Sequence, residues 1–139
     1  MGFRSFLHRI TAPKFERFVG KDQPLKMVFV NNHELKMGKG KIAAQVGHAA
    51  VKATLQAGEL RPELLDAWLS TGQKKVCVKA DDVSQLEEIE HQAKHHHILT
   101  SKIHDAGHTQ IPAGSYTVLA LGPEEEEKLD ALTGKLKLL

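Results

Sequence analysis

A nearly unbroken apolar run, Leu25 to Val30, precedes a polar loop ending in Gly38-Lys39-Gly40, and helical spacing follows from Lys41 to about Ala57. A run of that kind is expected of a central strand covered on both faces, so helices must pack on either side of it. Ile42, Ala43, Val46, Ala49, Ala50 and Ala53 mark one side of the helix, and Gly58 is the expected stop. Lys41, Gln45, His48 and Lys52 recur at spacings of four, three and four and share a side. The apolar stripe is expected largely on the other.

The rest of the chain alternates in the same way. Pro62 opens a short helix through Leu64, Leu65, Trp68 and Leu69, ending at Gly72. Lys74 to Lys79 reads as a strand, and Asp81 or Asp82 caps a helix to about Lys94. Ile98 to His104 and Tyr116 to Leu121 read as strands three and four. Pro123 is expected to open a last helix. The connection between strands three and four has no helix, so that step is antiparallel. The expected fold is α/β, a three-layer α/β/α sandwich around a four-stranded mixed sheet.

At 139 residues and 41% apolar, the chain supports one core. Residues 25–139 are read as the domain and residues 1–24 as a basic amphipathic extension. Phe3, Phe6, Leu7, Ile10, Phe15 and Phe18 lie near a helical period there. The extension is read as a packed helix, with membrane-surface contact of residues 1–20 and an organelle address as the other readings. Cys77 is the single cysteine, which excludes an intramolecular disulfide and fits a reducing compartment. Its place in Lys75-Val76-Cys77-Val78-Lys79 suits a packed, inert thiol. No apolar run approaches the roughly 18–20 residues needed to span a bilayer.

A net charge of +2 is too small to argue nucleic-acid binding by itself. Its distribution says more: residues 26–52 carry five lysines against Glu34, and residues 124–127 are four glutamates. Such a dipole steers a polyanion to one end; the competing reading is acidic helix starts that complement helix dipoles.

The chemistry concentrates in two places. Gly38 and Gly40 let backbone approach a ligand, and the following helix N-terminus offers N–H groups and positive potential. Ile42 stands where a Walker A loop needs Ser or Thr, which sets a nucleotide triphosphate site aside. The second place is Asp105-Ala106-Gly107-His108-Thr109-Gln110, after strand three. With strands one and three parallel, both loops emerge at one sheet edge and Asp105 meets Lys41. A lysine–carboxylate pair beside a threonine hydroxyl orients water for attack on an ester, help typically worth about 10²–10⁴-fold. The plainer readings are a solvated helix face and an ordinary turn-starting aspartate. Histidines 95, 96, 97, 104 and 108 lack the spacing of a metal site and are read as pH-dependent charge beside an RNA site.

The blocks Lys36-Met37-Gly38-Lys39-Gly40-Lys41-Ile42-Ala43-Ala44-Gln45-Val46-Gly47-His48-Ala49 and Asp105-Ala106-Gly107-His108-Thr109-Gln110 resemble those of the type II peptidyl-tRNA hydrolases of archaea and eukaryotes. The resemblance runs from about Leu25 to Leu139. It implies a cofactor-free, metal-independent homodimer that cleaves the ester between a peptide and the tRNA 3′ ribose, recycling tRNA for translation. Lys41, Asp105, Thr109 and Thr117 match the family's catalytic candidates. Lys36, Lys39, Gln45, His48, Lys52, His108 and Gln110 are candidates for holding tRNA or the substrate end. Two departures stand out: Asn32-His33-Glu34 replaces a frequent Arg-x-Asp, and His108 stands where many members have Arg.

The rival readings are a non-catalytic protein-interaction or signalling module and a generic RNA-binding domain. The few aromatic residues give the latter no stacking platform. The expected compartment is the cytoplasm, with the mitochondrion as the alternative.

Overall fold

A computed structural model describes residues 23–107 and 111–139. The expectations for the N-terminal extension fall almost wholly outside these residues, as do those for His108, Thr109 and Gln110. The elements are β1 (Leu25–Asn32), a 3-10 turn (His33–Leu35), α1 (Lys39–Leu60), α2 (Pro62–Ser70), β2 (Lys75–Ala80), α3 (Val83–His95), β3 (Thr100–His104), β4 (Tyr116–Glu125) and α4 (Glu126–Thr133). The sheet order is β2-β1-β4-β3. β1 pairs parallel with β2, while β4 runs antiparallel to both β1 and β3. β1, β2 and β3 therefore point the same way, and their carboxyl ends share one edge with the start of β4.

Alternation along the central strands packs both faces of the sheet into the one core of the domain. Leu25, Met27 and Phe29 face Ala49 and Ala53 of α1 and Leu64 and Trp68 of α2. Val28 and Val30 face Leu86, Ile89 and Ala93 of α3 and Leu129 of α4. All eight residues of β1 are buried, Lys26 among them; its ammonium reaches Asp130 Oδ1 at 2.6 Å. Trp68 ties α2 to the start of β2 by donating its indole N–H to Lys74 O at 3.0 Å. The expected α/β/α sandwich around a mixed sheet is the fold.

Three local expectations need correction. Gly58 does not stop α1, which runs on to Leu60 until Arg61 leaves helical geometry just before Pro62. Pro123 does not open a helix; β4 continues through it to Glu125, with Lys26 opposite Glu124. Gly122 permits this, because at φ 100° an added Cβ would lie 2.8 Å from Glu124 N. On α1 the polar and apolar stripes are not opposed. The buried line is Gln45, Ala49, Ala53 and Ala57, with Gln45 part of it, while Ala43, His48, Val51 and Lys52 are exposed.

Candidate active site

The carboxyl edge of the parallel strands carries the expected pair. β1 feeds the turn at His33–Leu35 and then the loop Lys36–Gly38, which the buried Met37 anchors. Gly38 caps α1 without a side-chain hydrogen bond, and no acidic residue lies in the first turn. The helix therefore starts with N–H groups and positive potential directed outward, flanked by Lys36, Lys39 and Lys41. Across the edge, β3 delivers Asp105. Its N–H donates to Ser115 O and its carbonyl accepts from Gly114 N, both at 2.9 Å, so the ends of the 105–115 loop are tied together.

Lys41 Nζ donates to Asp105 Oδ1 at 2.8 Å, with the two side chains 14% and 4% exposed. One turn further along α1, the buried Gln45 accepts from Thr117 Oγ1 at 2.6 Å. That hydroxyl, fully buried, also lies 3.1 Å from Ile103 O. Lys41, Asp105, Gln45 and Thr117 thus form one polar seam between α1 and the strand ends. His48 lies on the exposed side of α1. Lys52 sits eleven residues beyond Lys41, about 16 Å along the axis, and donates to Lys102 O at 2.9 Å. It is not part of the central cluster.

His95, His96 and His97 close α3 before β3 begins, at the edge opposite Asp105, so they are not beside the site. His104 ends β3 at the site edge, its Nδ1 3.0 Å from Gly114 O. Asn32, at the departure from Arg-x-Asp, is buried and donates from Nδ2 to Tyr116 O at 2.9 Å; its Oδ1 accepts from Glu34 N at 3.2 Å. It locks the turn instead of reaching outward. Cys77 is partly buried in β2, where burial pushes its thiol up. The described helices include none long and apolar enough to cross a membrane.

Sequence reasoning missed the link from Thr117 to Gln45. A threonine at a strand start and a glutamine on a helix carry no local sign that they will meet 72 residues apart.

The family profile described as Peptidyl-tRNA hydrolase PTH2 matches residues 25–139. The chain belongs to this family. Its peptidyl-tRNA hydrolase relatives include one from Methanocaldococcus jannaschii, 48% identical over 115 residues, which are 83% of this chain and all of the relative. The peptidyl-tRNA hydrolase of Thermoplasma acidophilum is 44% identical over 114 residues, 82% of this chain and 97% of that protein. The bovine protein named peptidyl-tRNA hydrolase 2, mitochondrial, is 48% identical over 120 residues, 86% of this chain and 67% of that protein.

Proposed function

We propose that this peptidyl-tRNA hydrolase uses Lys41 and Asp105 as its hydrolytic centre, cleaving the ester between peptide and tRNA and releasing tRNA for reuse. The observation that carries the assignment is the 2.8 Å contact between an ammonium and a buried carboxylate at the open start of α1. The chemistry of the two groups supports one division of roles. A carboxylate is an acceptor only, with room for several hydrogen bonds; an ammonium is a donor only. Asp105 therefore orients and deprotonates the attacking water. Lys41, with the first N–H groups of α1, meets the oxyanion that develops on the ester carbonyl. Such donors contribute about 3–4 kcal/mol to lowering the barrier.

Thr109, from the family resemblance, adds a hydroxyl beside the water. Thr117 is buried away from substrate and acts through Gln45, so it is a positioning residue in this scheme. Lys36 and Lys39 meet phosphates near the tRNA 3′ end, with Lys52 further out, and His48, His108 and Gln110 complete the substrate contacts. A protein-interaction module has no use for a buried carboxylate held against a lysine, which puts the hydrolase ahead of that reading.

The family resemblance makes a homodimer the expected assembly. On α1, Val51 and Leu55 are 62% and 67% exposed and one turn apart, which supplies an apolar surface for it. The mitochondrial names of the bovine and human relatives set that compartment beside the cytoplasm, and localisation of the tagged full chain decides between them.

A double-mutant cycle tests the centre. Lys41→Ala and Asp105→Ala each slow release of N-acetyl-amino acid from N-acetyl-aminoacyl-tRNA, and the double variant is no slower than the worse single, because the two act as a unit. Additive losses would contradict a joint role.

A further inference from the structure

A second polar cleft, of about 390 Å³, opens on the other flank of the same sheet edge, lined by His33, Lys79, Asp81, Gln85, Lys135 and Lys137. Four segments converge there: the turn after β1, the end of β2, the start of α3 and the C-terminal tail. The tail reaches it by pairing with the outer edge of β2. Lys79 N donates to Lys137 O at 3.0 Å and Leu139 N to Cys77 O at 3.1 Å, around a bridge between Val78 and Leu138.

From this cleft we infer a binding site for phosphates of the tRNA backbone, upstream of the ester that Lys41 and Asp105 cleave. The inference rests on the hydrolase reading for the identity of the RNA. Three ammonium groups face one carboxylate, and none of the three pairs with an acid among the described residues. Lys79 and Lys137 stand opposite each other across the tail–β2 ladder, where like charges cost stability. A fold that gathers three ammonium groups around a single carboxylate, with none of them paired to it, leaves an excess of positive charge for an anion that arrives from outside. Gln85 fixes its Oε1 on Asp81 N at 2.7 Å, which leaves its NH₂ donors to the cleft it lines. Asp81 supplies an acceptor for a ribose 2′-hydroxyl, the group that marks RNA.

The position fits the substrate. β2 and β3 are separated by β1 and β4, so the cleft and Asp105 lie three strand spacings apart, about 14 Å along the edge. A strand whose 3′ end lies at Asp105 and crosses Lys36 and Lys39 is led toward His33 and Lys79 next.

The test compares the full chain with its Lys79→Gln/Lys135→Gln/Lys137→Gln variant on two substrates: N-acetyl-aminoacyl-tRNA, and the same ester on a CCA trinucleotide. The expected result is a KM for the full tRNA raised about tenfold or more with kcat retained, and unchanged turnover of the short ester. The slope of log KM against log salt falls by about one per lysine removed. Unchanged KM and slope on tRNA, or equal losses on both substrates, would overturn the site. Removal of like charges predicts a thermal midpoint at or above wild type; should the triple variant not fold, the exposed Lys135→Glu alone carries the comparison. Binding of deacylated tRNA by both proteins judges the cleft separately from catalysis. Wild type that binds tRNA through these lysines and hydrolyses neither substrate refutes the hydrolase and keeps the cleft.

Discussion

At Thr117 a buried hydroxyl connects β4 to α1 one turn from Lys41. It lies 2.6 Å from Gln45 Oε1, with no exposure to solvent. Thr117→Val keeps the volume and removes the donor, releasing Gln45 one turn from Lys41. The expected outcome is a kcat lowered about ten- to a hundredfold with KM little changed, and recovery in Thr117→Ser, read by steady-state hydrolysis of N-acetyl-aminoacyl-tRNA. A merely structural role would lower thermal stability and leave kcat of the folded fraction intact. The residue types at Lys41 and Asp105 were legible from the sequence, because few local patterns place a lysine after two glycines at a helix start. The burial of Gln45 was not. Spacing alone puts it with Lys41 and Lys52 on a polar face, whereas the tertiary contact with Thr117 satisfies its amide oxygen and lets it join the alanine line.

Among the elements, the turn directly after β3 is tightly fitted at one described residue. Gly107 has φ 101°, and a Cβ there would come within 2.8 Å of Ala113 Cβ. Gly107→Ala adds that clash to an unfavourable backbone conformation, which costs about 1–3 kcal/mol. The variant is expected to lose most activity while the rest of the domain stays folded, seen as unchanged far-ultraviolet circular dichroism.

The helix on the other face, α3, is pinned to the sheet through Glu90. Tyr116 OH donates to Glu90 Oε1 at 3.0 Å and Lys94 Nζ to Oε2 at 2.7 Å, with Lys102 at 3.5 Å. Burial works to raise this carboxyl, and the hydrogen bonds from Lys94 and Tyr116 together with the charges of Lys102 and Lys94 outweigh it, holding Glu90 below its ordinary value of 4.5. Because the folded value is the lower one, its contribution is complete above about pH 4.5 and fades as pH falls through the folded value. Glu90→Gln is expected to flatten the acid limb of thermal midpoint against pH; an unchanged limb would show that other carboxylates set it.

Strand and helix identities were readable from the alternation of apolar runs and helical periods. Their ends were less so. Gly58 and Pro123 carry the usual stop and start signals, yet α1 continues to Leu60, closed by Arg61 N donating to Ala57 O, and β4 continues through Pro123 because Glu124 pairs with Lys26 on β1.

For the whole molecule, the carboxyl ends of β1, β2 and β3 share one edge, and the proposed function places both of its sites there. Parallel strands bring the start of α1, Asp105 and the lysine cleft to one side, while the acidic run at residues 124–127 straddles the end of β4 and the start of α4, at the other end of the sheet. This separation agrees with the dipole visible in the sequence, the arrangement the proposed function needs to steer a polyanion toward the site. Residues 95–97 share no local signal with the site edge, and only the direction of α3 relative to β3 places these histidines at the opposite edge. Assembly belongs to this scale as well. Leu55→Glu places a charge on the exposed apolar side of α1 and is expected to convert a dimer to monomer in analytical ultracentrifugation; a wild-type monomer at the same concentration would remove the dimer from the account.

The most direct measurement of the central claim is single-turnover release of N-acetyl-amino acid from N-acetyl-aminoacyl-tRNA, with enzyme in excess and EDTA present. Wild type is expected to turn over, and Lys41→Ala and Asp105→Ala to slow the chemical step by at least about a hundredfold while still binding tRNA. Wild-type rates in both variants, or no turnover by the folded wild type, would contradict a hydrolytic centre at Lys41 and Asp105.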